Sequence, residues 1–252
     1  MIRIVAGALC LWLIARWRDG PRAPAGNWPS ALALFAYAAA FSYAYVSLSA
    51  GTGALLLFGA VQASMIGWGL FKGERLRGLQ MLGWLLALGG LVGLVLPGWA
   101  APPWQGSVLM VAAGVAWAVY TLRGKGQGDP LQVTSGNFAR AMLPAALCSA
   151  WMWSSAALDG AGVACAVASG ALASGVGYAV WYTVLPALRM TTAATLQLAV
   201  PVIAAVGGIA WLGESISLRL LLAAPAILGG IALVLVAGKR SVPQAPCGII
   251  RK

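Results

Sequence analysis

Nine apolar stretches follow one another along this chain, and a lipid bilayer is the solvent in which such a chain folds. They cover about residues 2–15, 28–48, 50–71, 76–97, 104–123, 137–158, 161–184, 190–213 and 218–238, lettered A to I in chain order. Roughly 20 apolar residues carry a helix across a hydrocarbon core about 30 Å thick. Gly and Pro recur inside the stretches, as membrane helices tolerate. The separators carry turn chemistry: Asp19-Gly20-Pro21, Pro97-Gly98, Pro102-Pro103, Gly128-Asp129-Pro130 and Asp159-Gly160. Hydrophobic residues make up 61% of the chain and charged ones 8%. A soluble domain runs at about half and about a quarter, so too few charges exist here to cover a water-facing surface. The expected fold is an all-α polytopic membrane protein of nine transmembrane helices. Stretch A, at fourteen residues, rises only about 21 Å. It is not read as a signal peptide, because it ends in Ala15-Arg16-Trp17-Arg18 without a small-residue cleavage site. Cys10 makes no lipobox, since Leu9 precedes it and apolar residues follow.

The net charge of +11 reads as membrane topology. Arg16, Arg18, Arg22, Lys72, Arg75, Arg77, Arg123, Lys125, Arg140, Arg189, Lys239, Arg240, Arg251 and Lys252 all fall on one side of a nine-span arrangement, against Arg3 and Arg219 on the other. The positive-inside rule then places the C-terminus in the cytoplasm and Met1 outside, in an inner membrane. Trp17, Trp28, Trp99, Trp104 and Trp211 lie near the expected interfaces. No basic face can be assembled, so nucleic acid is excluded as a partner. The four cysteines include no C-x-x-C and histidine is absent, so neither a metal site nor a cofactor is expected.

Shifting the sequence by 140 residues aligns two helical hairpins without a gap. Thr52, Ala54 and Leu56 fall on Thr192, Ala194 and Leu196, and Gly67 on Gly207. Gly73-Glu74 falls on Gly213-Glu214, which uses both glutamates of the chain, and Leu88-Gly89-Gly90 on Leu228-Gly229-Gly230. Stretches C and H, and D and I, are five helices apart, so the two copies lie oppositely in the membrane. Inverted repeats are a signature of secondary transporters.

Segments 43–96 and 182–236, with Gly-Glu-Arg-Leu at Gly73–Leu76 and Gly-Glu-Ser at Gly213–Ser215, each resemble the C-terminal half of an EamA domain of the drug/metabolite transporter superfamily. The resemblance implies ten helices in two inverted five-helix repeats, and movement of small metabolites, often outward, across the cytoplasmic membrane. This sequence departs at its start. The Met1–Gly7 run resembles the family's second helix, so the expected division is a partial first repeat at 1–97 (A to D), a second repeat at 104–238 (E to I) and a cytoplasmic tail at 239–252. Either Met1 is a late start or the chain is a nine-helix form. The family's first helix is expected to help line the cavity beside E.

Candidate cavity residues are polar or aromatic groups inside the spans. Gln62 stands midway along C, where a buried amide either hydrogen-bonds substrate or bonds another helix. Gln197 and Pro201 are four apart on H, where proline frees a carbonyl one turn back. Tyr37, Phe41 and Tyr45 form a stripe on B, Trp117 and Tyr120 lie on E, and Tyr178 and Tyr182 on G. Such aromatics would suit amphipathic or cationic solutes, or pack as core. Arg3 either attracts anions at a cavity mouth or snorkels to the outer surface. Gly73, Glu74, Gly213 and Glu214 form the repeat loops, with each glutamate placed to cap the next helix. Ala63–Gly67, Gly89–Gly93, Ala173–Gly177 and Ala226–Gly230 have the small-residue spacing that lets helices approach. All five acids lie in loops or at helix ends, which argues against a buried proton relay. Ser64 and Ser174 have no acid beside them and the chain has no His, so an enzyme is not expected. The leading reading is a secondary transporter of small metabolites or drug-like solutes across the cytoplasmic membrane, an exporter as the resemblance implies, working by alternating access with a small-molecule substrate and the bilayer as partners. The alternative is a truncated, non-transporting or accessory membrane protein. A homodimer fits either.

Overall fold

Helix starts in this chain are set by short polar side chains and proline. The computed structural model describes residues 1–20, 25–48, 50–73, 75–76, 78–95, 103–125, 128–155, 158–200, 203 and 218–239. Helix α1 spans Ile2–Asp19, α2 Trp28–Ala44, α3 Ala50–Phe71, α4 Gly78–Val95, α5 Trp104–Gly124 and α6 Pro130–Trp151. A continuous helical run at Gly160–Ala187 consists of α7 (Gly160–Ala168), a π-helical segment (Ser169–Val176), α8 (Gly177–Val184) and a closing 3-10 turn. Helices α9 (Met190–Gln197) and α10 (Leu218–Lys239) follow. Asn27 caps α2 by accepting from the Ser30 amide at 3.0 Å. Asp129 caps α6 through the Leu131 and Gln132 amides at 2.9 and 3.0 Å, with Pro130 ideal at the first helical position. Asp159 caps α7 through the Gly162 amide at 2.9 Å. Each oxygen satisfies an amide that the first turn leaves without an intrahelical acceptor. Gly73 ends α3 with a φ of +86°, a conformation open to glycine at little cost.

Several boundaries differ from the hydropathy reading: α2 ends at Ala44 and α6 at Trp151, short of 48 and 158, and two others have a plain physical reason. Helix α1 continues through Asp19, because Arg16 and Arg18 suit its carbonyl end. At 18 residues it rises about 27 Å. Helix α6 begins seven residues before stretch F, since Leu131, Gln132, Val133, Thr134, Ser135, Gly136, Asn137 and Phe138 form two helical turns buried on every side. Polar residues paired inside a protein do not register as apolar sequence. Stretch H is described as α9 to Gln197; Pro201, Glu74, Gly213 and Glu214 lie outside the described residues.

The chain divides into two compact units, Met1–Met65 with Trp99–Arg189, and Ile66–Gly98 with Met190–Lys252. In the first, α2 packs along α5, while α1 lies against α6, α7 and the π segment. Glycines make this close. A Cβ on Gly7 would lie 2.8 Å from the Phe138 ring, and one on Gly175 would lie 2.7 Å from the Cys10 sulfur. In the second unit α4 packs along α10, with α9 beside α10. Of the small-residue pairs read from spacing, Gly230 stands at a close helix contact, whereas Gly67 and Gly89 face open space.

The buried core is largely apolar but also holds many polar side chains, and the outer faces of the helices are apolar. Gln62, Gln80, Gln132, Thr134, Ser135, Asn137, Thr191, Thr195 and Gln197 are buried, while Leu9, Leu13, Leu82, Leu85, Val108, Val115, Leu147, Leu172 and Val180 are exposed along the helices. Such an apolar exterior is stable against lipid and not against water. Among the described residues, Trp104–Gly124 and Gly160–Ala187 are long and apolar enough to cross a bilayer by themselves, and shorter apolar helices occur at 56–71, 78–90 and 225–234.

Candidate functional site

Aromatic side chains from four helices converge inside the first unit. Tyr37 of α2 and Trp117 of α5 have ring centroids 5.0 Å apart. Trp117 lies 5.0 Å from Tyr178 of α8, and Tyr178 lies 5.4 Å from Phe138 of α6. Tyr120 meets Tyr182 edge-on at 5.2 Å. On α2 the row continues from Tyr37 through Phe41 at 5.6 Å to Tyr45, itself 4.8 Å from Phe41. The tilted and edge-on arrangements are those that the ring quadrupoles favour. Residues four apart on a helix share a face, which is why Tyr37 with Phe41 and Tyr178 with Tyr182 present both rings to the same neighbours. Tyr37, Trp117, Tyr120, Tyr178 and Tyr182, picked out in sequence, thus form one cluster.

Gln62 is buried at 1% exposure in the part of α3 that belongs to this unit. Gln197 belongs to the second unit and donates to the Ala193 carbonyl of its own helix at 3.3 Å.

Arg3 enters the aromatic cluster. Its guanidinium carbon lies 5.9 Å from the Tyr37 ring centroid and 5.5 Å from that of Phe41. Its Nε donates to Ser174 Oγ at 3.2 Å. Tyr37 is central in α2, and Ser174 is central in the Gly160–Ala187 run. The half-buried cation therefore lies beside the middle of both helices. The π segment places its partner: Gly170 and Gly175 let α1 approach, and Ser174 between them faces Arg3. Segments with i→i+5 bonding are rare and collect at functional sites. The run of small residues Ser169-Gly170-Ala171 and Ala173-Ser174-Gly175 was the available signal for this contact, and spacing alone did not single it out.

An apolar groove of about 1270 Å³ borders this cluster. Its walls come from α1, α2, α6 and α7, with Leu9, Phe35, Ala38, Ala145 and Val167 among them, and Arg3 is the charged side chain on its lining. Clefts that hold small molecules usually measure about 300–1,000 Å³, so a small organic solute fits with space to spare.

At the far end of α1 the same unit carries a polar network that sequence reasoning missed. Arg18 pairs with Asp19 at 2.7 Å and also with Asp129. Gln132 donates to Asp19 at 3.0 Å. Arg123 donates to Ser30 Oγ at 3.2 Å and to Asn27 Oδ1 at 3.3 Å, while the Asn27 amide donates to Asn137 Oδ1 at 2.9 Å. Arg140, central in α6, reaches back to the carbonyls of Ala25 and Gly136 at 2.7 and 2.9 Å. These groups are scattered in sequence and meet only because α1 and α5 end where α2 and α6 begin. Among the described residues no group of three or more His, Cys, Asp or Glu is placed to hold a metal ion.

Residues 104–236 match the model of the EamA-like transporter family. An uncharacterized protein of Pseudomonas aeruginosa is 56% identical over 235 residues, covering 93% of this chain and 82% of its own length. An uncharacterized transporter of Archaeoglobus fulgidus is 28% identical over 213 residues, covering 79% of this chain and 72% of its own. A solved crystal structure shares the fold with a TM-score of 0.79 at 20% identity, covering 94% of this chain and 87% of that one. With an apolar exterior, polar and aromatic groups within its core, and more than half its length matched by one family model, the chain belongs to the EamA-like transporter family.

Proposed function

We propose that the protein is a secondary transporter of small metabolites or drug-like solutes, exporting them across the cytoplasmic membrane by alternating access. The observation that carries this reading is the meeting of Tyr37, Trp117 and Tyr178, from three separate helices, beside Arg3 near the middle of α2. Transporters bind their substrates near the bilayer midplane, at the interface of structural repeats. The reading takes 1–97 and 104–238 as two inverted repeats, supported by the Gly-Glu pairs at Gly73-Glu74 and Gly213-Glu214. It places the C-terminus in the cytoplasm, supported by the basic residues of the alternate loops and tail. Gln62 and Gln197 serve in it as polar groups of the transport route.

The test is solute flux with the purified chain in proteoliposomes. Accumulation of a labelled solute against a matched internal pool, absent from protein-free vesicles, supports transport. Absence of flux across a broad panel of metabolites overturns it. A green fluorescent protein fused after Lys252 is expected to fluoresce in cells, whereas alkaline phosphatase there is expected to stay inactive; the reverse pattern overturns the orientation.

A further inference from the structure

Among the described residues Arg3 is a cation with no acidic partner, held beside an apolar groove. The ion pairs among the described residues are those of Arg18 with Asp19 and Asp129. Asp19 ends α1, and Asp129 and Asp159 cap α6 and α7. A charge within the membrane is costly unless an opposite charge or a set of hydrogen bonds compensates it, and it marks a functional site by default. Ser174 Oγ accepts from Nε, the hydroxyls of Tyr37 and Tyr178 lie within hydrogen-bonding reach of the side chain, and the rings of Tyr37 and Phe41 lie against the guanidinium. These partners are neutral, so among the described residues hydrogen bonds and ring faces, and no negative charge, stand against the guanidinium.

The geometry points to an organic carboxylate with an apolar body as the ligand of the groove, its carboxylate on the guanidinium of Arg3. The planar fork of arginine matches a carboxylate in two parallel hydrogen bonds. Leu9, Phe35, Ala38, Ala145 and Val167 supply an apolar wall for the rest of the molecule. The same geometry works against cationic solutes. Aromatic faces attract cations, but at Tyr37 and Phe41 Arg3 already holds that position, and a second cation would meet its charge. The assignment deepens the transport reading and rests on it for the ligand's role as substrate.

The test uses the full chain in nanodiscs of neutral phosphatidylcholine, with binding measured by calorimetry. The probes are 3-phenylpropionate, 3-phenylpropan-1-amine, which has the same body and the opposite charge, and inorganic phosphate. Saturable binding of the carboxylate is expected, at least about tenfold tighter than of the amine or of phosphate. Arg3→Gln is expected to weaken it by about tenfold or more, and Arg3→Lys to recover part of the loss, since the charge returns without the fork. Equal or tighter binding of the amine, equal binding of phosphate, no saturable carboxylate binding, or unchanged affinity in both Arg3 variants overturns the assignment. Displacement of the probe when phosphatidylglycerol is added to the discs gives the groove to lipid and likewise overturns it. Should Arg3→Gln fail to fold, the probe series on the native chain and on Arg3→Lys decides. Flux measurements separate the two levels. Transport of the amine but not of the carboxylate keeps the transporter reading and removes this site. Binding of the carboxylate without flux of any solute keeps the site and removes transport.

Discussion

Gly83 of α4 and Gly230 of α10 meet backbone to backbone: a Cβ built on Gly83 would lie 2.8 Å from the Gly230 carbonyl oxygen. Backbone cannot swing aside as a side chain can, so the two helices must separate to admit even a methyl group. Gly83→Ala is expected to cost about 1–3 kcal/mol by overpacking. Gly89→Ala, on the same helix but with nothing near its missing Cβ, is expected to be neutral or to stabilise by up to about 1 kcal/mol. Thermal melts of the two variants in detergent check the contrast, and equal melting temperatures would remove the close contact as the reason.

Asp129 serves both as the cap of α6 and as an ion-pair partner of Arg18. Loss of such a cap typically costs about 1 kcal/mol, whereas an exposed ion pair is worth about 0–1 kcal/mol. Asp129→Ala is therefore expected to destabilise most, with Arg18→Ala and Asp129→Asn milder, since asparagine keeps a capping oxygen. Denaturation midpoints in a common detergent give the order. An Asp129→Asn protein as unstable as Asp129→Ala would mean that charge, rather than capping, holds this end of the helix.

Trp117 touches Tyr37, Tyr120 and Tyr178. Each aromatic pair stabilises the fold by about 0.5–1.5 kcal/mol beyond burial, whereas a ring contact to solute worth about 1.4 kcal/mol corresponds to a factor of ten in binding. Trp117→Ala is expected to lower flux about tenfold or more, while Trp117→Phe keeps a ring and most of the activity. Proteoliposome flux normalised to folded protein makes the comparison. Equal flux in both would remove the cluster from the transport route.

Gln62→Ala combined with Gln197→Ala is expected to leave a folded protein, because interhelical polar bonds in membranes are generally worth under about 2 kcal/mol. Flux is expected to fall about tenfold, the factor that one lost hydrogen bond of about 1.4 kcal/mol gives. Full activity in the double variant would assign both amides to packing.

The helical architecture was legible because its signal is apolar length, which survives in sequence without any knowledge of partners. The same signal failed where helix and apolarity part company. The start of α6 is helical from Pro130, but its Gln132, Thr134, Ser135 and Asn137 are buried among other protein groups, and a hydropathy reading placed the helix seven residues too late. The aromatic cluster was foreshadowed by spacing: Tyr37 with Phe41, and Tyr178 with Tyr182, are each one helical turn apart. Nothing in spacing said that Tyr37 would face Trp117 across α2 and α5. Arg3 was the hardest to place, since an arginine in the first turn of a helix usually snorkels to the surface. Its course toward the aromatic rings depends on Ser174, a residue 171 positions away.

The π-helical segment ties these features into one mechanical unit. Returning one of its i→i+5 turns to the α pattern would release one residue and turn everything beyond it by about 100°. Tyr178 and Tyr182 lie just beyond, on α8. Such a twist would carry both rings away from Trp117 and Tyr120. The winding of this one segment thus sets both the seat of the two tyrosine rings and the partner of the guanidinium.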